Sequence, residues 1–285
     1  MISVLILTKN EERDLPDCLA SIAWCDDIHV LDSGSMDGTC DIARAAGAQV
    51  TTRTYESPKI FGGDEAAHRN WSLRNIAYKH PWLLLLDADE RVTPDLHASI
   101  AAFAGSPGEF SAMRIRRRDF FMGTWLKHVQ TSPYYLRVIR PEKMRYERAV
   151  NCVSLVDGTV GSLPGYLDHY PFSKGMSHWL DRHNAYSSLE AQQIAQNRDS
   201  QAKFSPLKAF TAADFHERRF HQKEFFYRLP FRAVLKFMIL YMGKRGFLDG
   251  RAGLTYAVLQ SMYEYMIVLK VRELERAGRG YRSSR

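Results

Sequence analysis

Trp82-Leu83-Leu84-Leu85-Leu86-Asp87-Ala88-Asp89-Glu90 is the most informative run in this chain. Four leucines in a row, too short for an ordinary helix and stopped abruptly by acid, predict a strand buried on both faces inside a parallel sheet. In open α/β sheets ligands gather beyond the carboxyl ends of the strands, so Asp87 and Asp89 fall where chemistry is expected. Their carboxylates stand one residue apart where the backbone turns, both within reach of one hard cation. Mg2+ and Mn2+ take oxygen ligands and commonly use one or two carboxylates plus substrate phosphates. An apolar strand ending in Asp-x-Asp therefore suits a metal-diphosphate clamp, and a solvated Asp-rich turn is the plainer alternative.

Upstream, Ile2–Leu7 predicts a first strand that delivers Thr8-Lys9-Asn10-Glu11-Glu12 to the same sheet edge. A helix is expected over about residues 14–24, with Leu15, Cys18, Leu19 and Ile22 on one face. Ile28–Leu31 predicts a second strand ending in Asp32-Ser33-Gly34-Ser35-Met36-Asp37-Gly38-Thr39, a run of turn formers that can cap the next helix, expected over about 39–46. Gly47 closes that helix and Ala48–Thr52 reads as strand three. The alternation predicts a doubly wound α/β sheet. The first strand–helix turn lacks the glycines of a dinucleotide fingerprint, and no Walker lysine motif occurs. Its acidic and hydroxyl-bearing turns suit a base and ribose, leaving phosphate charge to a metal.

The 285 residues suffice for one domain with an appendage or for two domains. Residues 1–200 carry 22 Lys/Arg against 25 Asp/Glu, whereas residues 201–285 carry 17 against 7. All the excess positive charge thus lies in the last third, which points to an anionic contact there. The split places a catalytic domain at 1–200 and a basic helical region at 201–285. Cys18, Cys25, Cys40 and Cys152 show neither Cys-x-x-Cys spacing nor a paired His, so a reducing compartment is expected. Ile2–Leu7 is too short for a signal-peptide core, which predicts a cytoplasmic protein.

Ile6-Leu7-Thr8-Lys9-Asn10-Glu11-Glu12, Leu31–Thr39, Arg69-Asn70-Trp71 and Leu86-Asp87-Ala88-Asp89-Glu90-Arg91 together resemble the family 2 glycosyltransferases of the GT-A fold. Within them the chain is most similar to the bacterial branch that adds sugars to lipopolysaccharide core or related envelope glycans. The likeness continues more loosely through Arg116–Trp125, Tyr134–Arg140, His169-Tyr170, Tyr186–Ala191 and the basic C-terminal region. The resemblance implies that Thr8, Asn10, Glu11, Ser35 and Ala88 line the nucleotide-sugar pocket and that Asp32 accepts from a uracil N–H. It further implies that Arg69 reaches the diphosphate, that Asp87 holds ribose and metal-bound water, and that Asp89 ligates Mn2+ or Mg2+. Residues 53–68, with Gly62-Gly63, read as a longer connection than the family's usual one, either a lid or a plain insertion.

Met113–Arg118 alternates and then becomes a basic cluster, suited either to a diphosphate leaving group or to a solvated edge strand. Inverting transfer needs a base for the acceptor hydroxyl. The resemblance implies a Val-His-Glu run supplying it, but the chain has Val150-Asn151-Cys152. Asp119 and Glu147 are the leading substitutes, with His128, Asp157, His169 and His178 also considered. In the tail, Arg228, Arg232 and Lys236 fall at i, i+4 and i+8, which predicts one basic stripe on an interfacial helix over about 227–242. A second helix is expected over 254–276, interrupted by Gln260, Glu264 and Lys270 and so more suited to packing than to spanning a bilayer. No nucleic-acid module accompanies the charge.

The sequence thus predicts an inverting, metal-dependent, UDP-sugar glycosyltransferase with a lipid-linked or envelope glycan acceptor, peripheral at the inner face of the bacterial inner membrane. A polyprenyl-phosphate sugar synthase, or a nucleotide-sugar-binding scaffold without turnover, are the alternatives.

Overall fold

The structure is a computed structural model that describes residues 1–54, 65–130, 132–147, 153–199 and 204–283. Gly62-Gly63 of the expected lid and the Val150-Asn151-Cys152 run lie outside the described residues. The chain forms two compact units, one of residues 1–127 and 131–174, the other of 128–130 and 175–285. The charge asymmetry predicts a boundary at 200/201. The compact units divide at Lys174/Gly175 because a long helix that starts there packs with the C-terminal helix.

In the first unit the elements are β1 (Ser3–Thr8), α1 (Leu15–Ser21), β2 (Ile28–Asp32), α2 (Thr39–Ala45), β3 (Gln49–Thr52), α3 (Glu65–Asn75) and β4 (Leu83–Asp87). There follow β5 (Glu90–Val92), α4 (Pro94–Gly105), β6 (Phe110–Phe121), β7 (Thr124–Trp125), β8 (Tyr134–Ile139), β9 (Met144–Glu147), β10 (Val153–Val156) and β11 (Thr159–His169). The main sheet runs β3-β2-β1-β4-β8-β6-β11-β5, with β7 on β6 and β9–β10 as a separate hairpin. β3, β2, β1 and β4 are parallel, as the alternating pattern requires. β8 enters antiparallel to both β4 and β6, and β11 then pairs parallel with β6. The Arg-rich strand β6 is interior, so the edge-strand reading of that run does not hold.

The four leucines of β4 explain why both faces are covered. Leu84 and Leu86 join Val4, Ile6 and Val30 on one face, beneath Leu15, Leu19 and Ile22 of the α1 segment and Leu96 and Ile100 of α4. Leu83 and Leu85 join Leu5 and Leu31 on the other, beneath Ala66 and Trp71 of α3 and Met144 and Tyr146 of β9. Each buried leucine contributes about 1.5–3 kcal/mol, which makes this strand the anchor of the core. Thr93 caps α4 by accepting from the Leu96 N–H at 3.3 Å, and Pro94 occupies the first turn, where no N–H is needed.

The second unit holds α5 (Gly175–Asp199), α6 (Lys208–Thr211), α7 (Phe215–Arg228), α8 (Arg232–Met238) and α9 (Gly250–Ser283). A π-helical turn (Ile239–Gly243) and a 3-10 turn (Gly246–Asp249) join α8 to α9. Ala191 and Ile194 of α5 pack on Ile267 and Val271 of α9. The expected continuous basic stripe is absent. Leu229-Pro230-Phe231 separates α7 from α8, with Phe231 at φ 52°, because proline lacks the N–H that a continuing helix requires. Arg228 therefore pairs with Glu224 at 2.5 Å and lies over the Phe204 ring. Arg232 is buried against Glu264 at 2.8 Å. Among the described residues no helix is long and apolar enough to cross a membrane.

Candidate active site

Three clusters form at the carboxyl ends of the parallel strands of the first unit. The first ties β1 to β2. The Thr8 hydroxyl donates to Asp32 Oδ1 at 2.9 Å, and Asp32 Oδ2 accepts from the Gly34 and Ser35 N–H groups at 2.9 and 2.8 Å. The Ser35 hydroxyl also donates to Oδ1, at 2.5 Å. Burial pushes the Asp32 pKa up, but these hydrogen bonds outweigh it and hold the carboxyl below its usual range. With about four acceptor sites on a carboxylate, Asp32 is saturated by Thr8 and its own loop. Asn10, at φ 54°, donates its N–H to Ser35 Oγ at 2.8 Å and accepts the Met36 N–H at 2.9 Å. The Glu11 N–H donates to Thr39 Oγ1 at 2.7 Å, and its carboxylate accepts from Lys174 at 2.6 Å. Burial raises the Glu11 pKa to about 7, against the pull of Lys174.

The second cluster surrounds Asp87 and Glu90. Arg137, buried on β8, donates to Asp87 Oδ2 at 2.8 Å and to Glu90 Oε1 at 2.5 Å. Arg69 of α3 stands 3.5 Å from Asp87 Oδ1 and lies over the Tyr146 ring. Burial raises the Asp87 pKa, but the Arg137 and Arg69 guanidiniums overcome it and hold the carboxyl well below the usual range. Asn70 explains the order Arg69-Asn70-Trp71. Its side chain accepts from the Tyr146 N–H at 2.8 Å and donates to the Tyr146 carbonyl at 2.7 Å, fastening β9 to α3 beneath Arg69.

In the third cluster His169 bridges two carboxylates. Its Nδ1 meets Asp119 Oδ1 at 2.5 Å and its Nε2 stands 3.3 Å from Asp89 Oδ2. The β11–β6 register places His169 opposite Asp119. Burial lowers the imidazole pKa, yet the two carboxylates reverse this and raise it to about 9. Arg117 pairs with Asp119 at 3.0 Å and lies over the Tyr135 ring. Arg118 instead forms a two-pronged pair with Asp168 at 2.5 and 2.8 Å. Asp119 is 2% exposed and is enclosed by His169 and Arg117. That burial sets Asp119 apart from an open acceptor-side base, and a carboxylate buried behind an imidazole suits fixing that ring's orientation.

Among the described residues no three His, Cys, Asp or Glu side chains converge as a metal cage. Two groups nevertheless suit a shared cation, His169 doing so once Nε2 gives up its proton. Ligands bonded at about 2.1 Å to one ion stand roughly 3 Å apart, and Asp89 Oδ2 and His169 Nε2 are separated by 3.3 Å. Asp87 is instead committed to arginines, so the two aspartates of the strand end are not equivalent. Ala88 is buried, its carbonyl accepting from Arg91 at 2.8 Å. Glu147 is exposed on β9 and pairs with Arg145 at 3.4 Å. Of the other base candidates, His128 is bonded to Asp249 at 2.7 Å within the second unit, and Asp157 is an exposed partner of Lys143.

Beside the third cluster lies a cavity of about 540 Å³ walled by Phe120, Phe121, Tyr170 and Phe172, with Arg13 and Arg91 at its edge. Phe120 and Tyr170 stack at 5.2 Å, and the Tyr170 N–H donates to the Asp89 carbonyl at 2.9 Å. Sequence alone does not single out Arg137, Glu90 or Lys174, although Glu90 closes the decisive run and Arg137 falls within Tyr134–Arg140. Their roles depend on contacts between residues 47, 50 and 163 positions apart.

The fold and these clusters define a doubly wound α/β domain of the GT-A type, with acid- and arginine-rich chemistry at the strand ends. Residues 3–156 match the Glycosyl transferase family 2 profile, and the chain belongs to that family; it is a glycosyltransferase. It is 26% identical over 279 residues to the lipopolysaccharide core biosynthesis glycosyltransferase LpsC of Rhizobium meliloti (strain 1021), covering 93% of this chain and 92% of LpsC. It is 31% identical over 100 residues to an uncharacterized glycosyltransferase of Rickettsia bellii (strain RML369-C), covering 35% of this chain and 31% of that one. A partial structural likeness links it to glucosyl-3-phosphoglycerate synthase of Mycobacterium tuberculosis in complex with Mn2+, UDP-glucose and phosphoglyceric acid. That likeness has a TM-score of 0.34 and 24% identity, over 41% of this chain and 44% of that one.

Proposed function

We propose that this glycosyltransferase moves a sugar from a UDP-sugar, with inversion, to a lipid-linked or cell-envelope glycan at an anionic membrane surface. The observation that carries the reading is the Asp89–His169 pair at 3.3 Å, beside an Asp87 braced by Arg69 and Arg137. The nearly full-length likeness to a lipopolysaccharide core transferase supports the acceptor class.

Asp89 and His169 are the residues that would hold Mn2+ or Mg2+. A bound cation supplies neutralisation of the charge that develops on the departing diphosphate. Asp119 fixes His169. Arg69, held over Tyr146, is placed to meet phosphate oxygens, exchanging its long contact with Asp87 for them. Thr8, Asn10, Ser35 and Asp32 shape the nucleoside-side turn, with Asp32 acting through the loop it organises. The aromatic cavity offers flat apolar faces for an acceptor sugar, and the arginines offer donors. Of the two leading base candidates only Glu147 is open to solvent, and it is our assignment for the acceptor proton.

The burial of Asp119 also favours a second reading, in which the acceptor is a polyprenyl phosphate that is already ionised and needs no strong base. Slow UDP-sugar hydrolysis, screened across sugars with and without Mn2+, tests the donor assignment. Metal-stimulated release of UDP from one or two donors is expected. Absence of release and of UDP binding in Mn2+ would overturn it. Acid lability of the transferred product separates a sugar phosphate from a glycoside.

A further inference from the structure

The second unit exposes apolar side chains in helical register. On α8 and the turn after it they are Phe231, Val234, Leu235, Met238, Ile239 and Met242, spaced i, i+3, i+4, i+7, i+8 and i+11. On α9 they are Leu254, Val258, Met262, Tyr265 and Leu269, spaced i, i+4, i+8, i+11 and i+15. The α9 stripe is about 22 Å long at 1.5 Å per residue. Neither stripe is the packing face. The helices meet through Arg232–Glu264 and through the Ser261 hydroxyl, which donates to the Ala233 carbonyl, while α9 turns Ile267 and Val271 toward α5. Helix α9 is therefore apolar on a second, open side. Rows of exposed large apolar side chains of this length mark a surface that meets a partner.

Charge selects the partner. Between residues 225 and 263 the sequence holds Arg228, Arg232, Lys236, Lys244, Arg245 and Arg251, with Asp249 the sole acid. Asp249 is buried and accepts from the His128 and Val129 N–H groups, and Arg228 and Arg232 are paired internally. Lys236, Lys244, Arg245 and Arg251 adjoin the striped residues along the chain, Lys236 also acting on Glu264. A second copy docked through the same face would bring these cations together. Apolar side chains flanked by Lys and Arg match the layered chemistry of a headgroup region above acyl chains.

We infer that α8 and the open side of α9 form the membrane-docking face, seated on an anionic bilayer with Met238, Ile239, Met262 and their neighbours inserted. Lys236, Lys244, Arg245 and Arg251 contact lipid phosphates. This replaces the Arg228/Arg232/Lys236 stripe expected from the sequence. It rests on the reading of a membrane-borne acceptor, but vesicle binding needs no turnover, so either can fail alone.

The test is flotation of the full chain with vesicles of phosphatidylcholine alone or with phosphatidylglycerol at about 30 mol%. Wild type is expected to float with the mixed vesicles and to lose binding as salt rises. Met238→Gln/Met262→Gln should weaken binding at least tenfold, and Lys244→Gln and Arg245→Gln roughly fivefold each. Their melting temperatures and donor hydrolysis should match wild type, since these side chains are exposed. Equal binding to neutral and anionic vesicles, or apolar variants that bind as well as wild type, would overturn the inference. So would a vesicle-indifferent protein whose dimer, measured by sedimentation, dissociates in the Met238→Gln/Met262→Gln variant.

Discussion

Asp119→Asn separates two roles for the carboxylate behind His169. As a base, Asp119 would lower turnover by about 10²–10⁴-fold when neutralised, with donor and metal affinity intact. As the group that orients His169, it acts earlier, on cation binding. Loss of the carboxylate partner of a metal-binding histidine typically costs about 10–100-fold in affinity, or roughly 1.4–2.7 kcal/mol. The structure places the asparagine at the low end of that range. Its Oδ1 can still accept from Nδ1 across the 2.5 Å contact, and Arg117 keeps Glu90 at 3.8 Å as a counter-charge. Asp119→Ala removes the acceptor altogether and falls at the high end. Calorimetric titration of Mn2+ in the presence of UDP, run beside turnover and thermal melting, reads all three quantities. We expect about a tenfold weaker Mn2+ affinity in the asparagine variant and near a hundredfold in the alanine variant, with turnover recovering as metal is raised. Mn2+ affinity within about twofold of wild type, together with turnover lost at saturating metal, would refute the positioning role and restore the base.

The buried Arg232–Glu264 pair, at 2.8 Å, predicts that Arg232→Ala destabilises the second unit by about 3–5 kcal/mol, because it strands a carboxylate in apolar surroundings. Arg232→Leu/Glu264→Leu recovers most of that in denaturant unfolding, and a single-variant loss below ~1 kcal/mol would show that the pair is not desolvated. Glu11 carries the pH signature: burial raises its carboxyl from 4.5 to about 7, so the folded state holds the proton more tightly than the unfolded one. Stability from this group is full below pH 4.5 and is lost as pH rises through 7. Glu11→Gln mimics the protonated form, so its melting temperature relative to wild type climbs between pH 5 and 8, at roughly 2–4 °C per kcal/mol; a pH-independent difference would contradict the burial.

The sequence by itself determined the parallel half of the sheet. Alternating apolar runs and turn formers are local signals, and Leu83–Leu86, apolar on both faces, admit few other placements. The same logic brought Thr8, Asp32, Asp87 and Asp89 to one edge, since strand ends follow from strand order. Tertiary structure decided what each of those acids touches. Asp87 and Asp89 look alike in Asp-x-Asp, yet one faces Arg69 and Arg137 while the other faces His169. Arg137 and His169 come from β8 and β11, whose antiparallel and parallel insertion no local period encodes, and Arg69 from α3. The tail shows the converse. Arg228, Arg232 and Lys236 are in register only if the helix runs through Pro230, and it does not. Arg232 instead turns inward toward Glu264, and the apolar side chains of the segment read as an interfacial helix are the part of it that stays exposed. Periodicity tells which residues share a face, but which face meets a neighbour depends on packing between segments distant in the chain.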